Sequence, residues 1–255
     1  MLLGVLIVKN YQHFSKILLQ VYKLFDVRFI FVKKMSTFLK LHSISQKIWM
    51  AAAGAFLLVF LIVHLGINLL LLLPDGGETF NAAAYFMSTN IIVKVFEIVL
   101  FLSFFIHILL GIVLKIQNWM ARPQRYAVSS KTPTSFMSRY TIWTGLTVLL
   151  VLIIHLINFN FVKEGWVDLP QGVTDRHDFY TMAVLLFTNK TYVIIYYIWL
   201  VVLGIHLYHA FQAVFQTFGF NHNKYLNAIR VTAFIYAVVV SGGFLSIPTY
   251  FMFFY

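Results

Sequence analysis

Cysteine is absent from this chain of 255 residues. Its absence excludes disulfides, thiolate nucleophiles, cysteine-ligated zinc and cysteine-ligated iron–sulfur clusters in one step. Charge is scarce as well: 11% of residues are charged against 61% hydrophobic, with a mean hydropathy of +0.85. A soluble domain of this size would not carry that composition, so the chain reads as an integral membrane protein. Acidic residues are the rarest charged class, 8 against 19 Lys and Arg, for a net charge of +11. The basic residues sit between apolar runs, where they read as topology signals rather than a nucleic-acid surface.

A hydrocarbon core of about 30 Å needs ~20 apolar residues in a helix. Five segments meet that length, at about 49–73, 91–116, 140–161, 190–216 and 228–252. Loop signals separate them: Pro74-Asp75-Gly76-Gly77, Arg122-Pro123, Thr132-Pro133 and Pro170-Gln171-Gly172. The expected fold is an all-α integral membrane protein of five transmembrane helices, the first four forming a bundle. Orientation follows the basic residues. Lys33, Lys34, Lys40 and Lys47 precede the first segment, and Lys115, Arg122, Arg125, Lys131 and Arg139 lie around the second connection. Both regions are expected on the cytoplasmic side, with the C-terminus outside.

Four histidines, His64, His107, His155 and His206, occur one per segment on the first four segments. An ionisable side chain at membrane depth is costly and marks a functional site, and imidazole is an axial ligand to haem iron. Counted from their inner starts, His64 and His155 both stand ~22 Å above the cytoplasmic boundary. His107 and His206 fall ~24 Å below the outer one. The four thus sort into two layers of two, which would supply two haems with two imidazoles each. A lone membrane histidine is equally a core residue bonded across a helix interface, but four that pair by depth are harder to read that way. Gly66, Gly111 and Gly204 lie near the histidines, where a flat macrocycle could approach the backbone; glycine also serves helix packing. His209, three residues past His206, competes as a ligand, and depth favours His206.

Other polar residues in or beside the spans could serve proton exchange or hydrogen bonding to a ligand beside the histidines. Lys94 and Glu97 lie near the outer end of the second segment, three apart, so they could pair with each other. Glu97 is the leading candidate for proton exchange there. Asn68 and Asn158 follow their histidines by four and three residues and could bind such a ligand or a haem carboxylate. At the inner end, His42, Ser43, Ser45 and Gln46 form an alternative polar cluster.

The chain resembles the membrane cytochrome b subunit of succinate dehydrogenase and fumarate reductase in its single-chain, five-helix, two-haem form. The resemblance covers about 36–255. It rests on Leu41-His42-Ser43, Val63-His64-Leu65-Gly66-Ile67-Asn68, Ile106-His107, Ile154-His155-Leu156 and Gly204-Ile205-His206-Leu207-Tyr208-His209-Ala210, ending in Gln216-Thr217-Phe218-Gly219. The resemblance implies two haems b, a distal one on His64 and His155 and a proximal one on His107 and His206. It also implies an iron–sulfur subunit and a flavoprotein subunit as partners, residence in a bacterial cytoplasmic membrane, and a quinone, often menaquinone, as the membrane substrate, for which Glu97, Lys94, Asn68, Asn158, His42 and Ser43 are the candidate binding residues. Lacking cysteine, a dinucleotide fingerprint and a soluble domain, the chain would serve as anchor and electron carrier, with the dicarboxylate chemistry on its partners. Arg122, Arg125, Lys131 and Arg139 could neutralise haem carboxylates or dock the iron–sulfur subunit. Some relatives of this type carry a glutamate two residues before the helix-four ligand, where this chain has Gly204.

Two other readings fit the same residues. A cytochrome b subunit of another quinone-linked dehydrogenase or hydrogenase would share the histidines. A haem-free transporter or scaffold would use them for protonation or packing, with repeats or broken helices near the midplane. The first 34 residues read as a separate apolar and basic extension preceding a 35–255 membrane domain. Lys9, Lys16 and Lys23 recur every seven residues, which suits an interfacial helix. The alternative, favoured by the start of the resemblance, is that Met35 is the true start.

Overall fold

The computed structural model describes residues 43–120, 133–220 and 222–255. The chain divides into two compact units, Met1–Ser45 and Gln46–Tyr255. Only three residues of the first are described, and the architecture below is that of the second.

Every regular element among the described residues is helical. In chain order, α1 spans Ser43–Asn68 and continues as a 3-10 turn over Leu69–Leu72. A short α2 (Glu78–Thr89) leads into α3 (Ile91–Met120). Next come α4 (Pro133–Asn158), a single turn α5 (Asn160–Lys163), a short α6 (Phe179–Phe187), α7 (Lys190–Thr217) and α8 (Asn223–Phe254). Five stretches are long and apolar enough to cross a bilayer: Ile44–Leu72, Ile91–Met120, Tyr140–Lys163, Lys190–Thr217 and Asn223–Phe254. The protein is a multi-pass, all-α membrane protein. All five expected spans are present. Three of the helices, α1, α4 and α8, start five to seven residues earlier than the apolar runs suggest, because polar residues beyond the hydrocarbon continue the same backbone hydrogen bonding.

Large apolar side chains face outward along these helices; Ile98 is 69% exposed and Ile194 56%. In water such faces would be untenable, and in lipid they are the solvent-matched surface. Small residues set the close contacts. A Cβ on Gly204 of α7 would stand 2.9 Å from the Ser241 hydroxyl oxygen of α8, and one on Gly243 of α8 would stand 2.8 Å from Leu65 of α1. Tyr236 of α8 donates to the Leu58 carbonyl of α1 at 2.7 Å. Thus α8, which carries no histidine past its cap residue, braces α7 and α1. The helices that carry the paired histidines, α1 with α4 and α3 with α7, do not lie closely backbone to backbone.

The two short helices α2 and α6 cap one end of the bundle. Gly77 precedes α2 at φ +87°, and a side chain there would run into the Tyr180 ring; glycine meets both demands. Asp178 caps α6 by accepting from the Thr181 amide at 3.1 Å, and also accepts from the Asn81 side-chain amide at 2.8 Å. Asn81 in turn accepts from the Tyr180 backbone at 2.9 Å. Beneath them Leu71, Phe80, Phe187, Tyr196 and Phe251 form a buried cluster. The connection from α5 to α6 is held by Arg176, which donates to the carbonyls of Val162 (2.6 Å) and Val167 (3.1 Å).

Candidate functional site

Two histidine pairs lie inside the bundle. On the cap side, His64 of α1 and His155 of α4 face each other with ring centroids 5.9 Å apart and planes at 83°. Farther from the cap, His107 of α3 and His206 of α7 stand 6.4 Å apart, also at 83°. His64 and His155 each lie eight residues, ~12 Å, from the cap-side ends of their spans at Leu72 and Lys163. His107 and His206 each lie sixteen residues, ~24 Å, from Ile91 and Lys190. The pairing read from depth is the pairing that the structure brings together, and His206, not His209, faces His107.

Each ring is seated by its surroundings. His64 stacks on Phe60 (5.1 Å) and packs against Phe244 (5.6 Å). His155 lies among Phe159, Trp199 and Tyr196, with its Nδ1 3.4 Å from the Tyr196 hydroxyl. On the far pair, His107 Nδ1 approaches the Met50 carbonyl at 3.4 Å, and His206 Nδ1 approaches the Thr144 hydroxyl at 3.2 Å. Two glycines face these rings: a Cβ on Gly54 of α1 would lie 3.4 Å from the His107 ring, and one on Gly145 of α4 would lie 3.4 Å from His206.

The donor set narrows what such pairs can hold. Among the described residues no group of three or more His, Cys, Asp or Glu could take a bare metal ion, whereas zinc sites use three or four protein ligands. A haem brings its own equatorial nitrogens and needs only two axial side chains. Each couple supplies two such side chains from different helices, with ring centres 5.9 and 6.4 Å apart. The separated helix backbones and the bare glycine faces fit a flat group of that kind. Near His155 the Asn158 side-chain amide is directed at the Tyr196 hydroxyl, and one buried donor, Trp199 Nε1, has no hydrogen-bond partner.

Several expectations change. Gly66 is exposed and a Cβ there would meet nothing within 4 Å; the same is true of the space at Gly111. Gly204 packs against Ser241 of α8, so the glycines on the rings are Gly54 and Gly145 instead. A glutamate at 204 would have to enter the α7–α8 contact. Glu97 does not pair with Lys94, which is exposed. It accepts from Lys163 Nζ at 3.0 Å and Asn160 Nδ2 at 3.4 Å, and Lys163 also meets Glu164 at 2.9 Å. The acid is neutralised from α5, across the helix interface. Asn68 donates to the His64 carbonyl of its own helix at 2.7 Å. Ser43 begins α1, and Arg139 lies on α4. His42, Arg122, Arg125 and Lys131, and the side chains of Ser43 and Arg139, lie outside the described residues.

Comparison with models of protein families, with curated proteins and with solved structures returns no match to this chain.

Proposed function

We propose that the chain is the dihaem cytochrome b membrane anchor of a succinate:quinone oxidoreductase, a succinate dehydrogenase or fumarate reductase. It passes electrons between an iron–sulfur subunit and a quinone, taken to be menaquinone. The observation that supports the haem reading best is the pair of imidazole couples at 5.9 and 6.4 Å, on four different helices and at two depths. His64 and His155 hold the haem nearer the cap, and His107 and His206 hold the other. When bound, haem supplies a one-electron carrier at each level. The partner assignment rests on the motifs quoted above and on the cysteine-free chain, which leaves cysteine-ligated iron–sulfur chemistry to another subunit.

In this reading the cap faces outward, and the far pair lies toward the cytoplasmic face where an iron–sulfur subunit docks. Quinone reduction consumes two protons and so needs a proton donor near a haem. The Glu97–Lys163 pair, fixed at the cap end between α3 and α5, is the proton-exchanging couple. Trp199 offers an unspent donor to an oxygen acceptor beside His155. The test is reduction of the haem bands by succinate in native membranes that contain the tagged chain, followed by reoxidation with a menaquinone analogue. Reduction by dithionite but not by succinate would refute the partner assignment, and reduction by formate or hydrogen instead would name another dehydrogenase or a hydrogenase.

A further inference from the structure

The hydrogen bonds around the far pair decide which nitrogen of each imidazole carries its proton. A neutral ring has one N–H and one bare nitrogen, and only the bare one can bind a metal. The Met50 carbonyl can only accept, so the His107 Nδ1 at 3.4 Å from it is the donor. Thr144 has a single hydroxyl hydrogen, and it is spent on the Thr141 carbonyl at 3.0 Å. Toward His206 Nδ1, 3.2 Å away, the Thr144 oxygen therefore presents a lone pair, and His206 also donates from Nδ1. Both rings are left with Nε2 bare.

The cap-side pair lacks this arrangement. The Tyr196 hydroxyl, 3.4 Å from His155 Nδ1, can donate or accept. Asn68 Nδ2 gives one of its two hydrogens to the His64 carbonyl and lies 3.3 Å from Nδ1 and 3.5 Å from Nε2 of that ring, so its second hydrogen can go to either nitrogen and fixes neither tautomer.

We infer that Thr144 is a positioning residue for the far site: it holds His206 in the Nδ1–H form and, by accepting that proton's hydrogen bond, makes Nε2 a stronger donor to a bound haem iron. Such partners of a metal-bound histidine fix its tautomer and raise its basicity, and a more basic axial ligand favours the ferric state. The inference rests on the haem reading of the pair. Met50 acts through its backbone and is not open to substitution, whereas Thr144 is. Thr144→Val keeps the shape and removes the acceptor; Thr144→Ser keeps the acceptor.

The experiment is a potentiometric titration of the haem bands in the full-length chain and the two variants, with the far-site component assigned by its loss in His206→Ala. Thr144→Val is expected to move the far-site midpoint upward and leave the cap-side component in place, while Thr144→Ser titrates like the parent. Loss of far-site haem in Val with retention in Ser supports the same role. An unchanged midpoint in Val, or the same change in Ser as in Val, overturns it while the haem reading stands. A parent chain that binds no haem overturns both.

Discussion

The glycine that faces His107 offers a test of the far site at the level of single carbon atoms. A Cβ on Gly54 would sit 3.4 Å from both Cε1 and Nδ1 of the imidazole, ordinary contact for one methyl group. Gly54→Ala should therefore be accepted, with a helix-propensity gain of up to about 1 kcal/mol over glycine. Valine is different. Its γ carbons extend about 1.5 Å beyond Cβ, and its χ1 is held to one rotamer in a helix. The ring would have to yield, at the ~1–3 kcal/mol typical of overpacking, and the His107–Met50 contact at 3.4 Å would be lost with it. The expected outcome is a graded series: Ala retains both haems, whereas Val loses or weakens the far-site haem and keeps the cap-side haem on His64 and His155. Haem per polypeptide and the reduced-minus-oxidised spectrum of each variant measure it. Full haem content in Gly54→Val, or preferential loss of the cap-side component, would refute the reasoning.

Other substitutions probe the frame around the sites. Gly204→Ala places a methyl 2.9 Å from the Ser241 hydroxyl oxygen and should cost ~1–3 kcal/mol; Ser241→Ala, which removes a buried hydroxyl without a partner, should restore most of the thermal stability in the double variant. Burial opposes the charge on Asp178, but hydrogen bonds from Thr181 and Asn81 outweigh it and hold the carboxyl below its ordinary value. Its contribution to the cap is thus present above the unfolded-state value and is lost as pH falls through the lower folded value. Hydrogen exchange at the Thr181 amide should accelerate over that acidic range, and Asp178→Asn should abolish the pH dependence. Glu97→Gln removes one partner of Lys163 and leaves Glu164 in place, so stability should change by less than about 1 kcal/mol; quinone reductase activity should fall, and unchanged activity would remove Glu97 from the proton route.

The spans and the pairing of the histidines were legible because a helix converts sequence spacing into depth at a fixed rise, and five apolar runs supply the ruler. The cap was not. Asn81 and Asp178 are 97 residues apart, and their hydrogen bond leaves no local pattern; α2 and α6 are too short to stand out beside five membrane helices. Glu97 was visible as an acid in an apolar run, but its partner Lys163 sits at the end of another span, so the local helix spacing pointed to Lys94 instead. The glycines mislead for a related reason. Those beside a histidine in sequence face away from the rings, Gly204 toward Ser241 and Gly66 and Gly111 toward open space, while those that touch the rings come from adjacent helices. A signal for them existed: Gly54 and Gly145 each lie ten residues before the histidine of their own helix, ~15 Å away, at the depth of the other pair.

The central claim is that the four helix-borne histidines hold two haems. Its most direct test is a dithionite-reduced minus oxidised spectrum of the purified chain after haem-replete expression, with haem quantified per polypeptide. The account predicts two haems b per chain, with one lost in His155→Ala and the other in His206→Ala. A chain that folds and remains in the membrane without haem would contradict it.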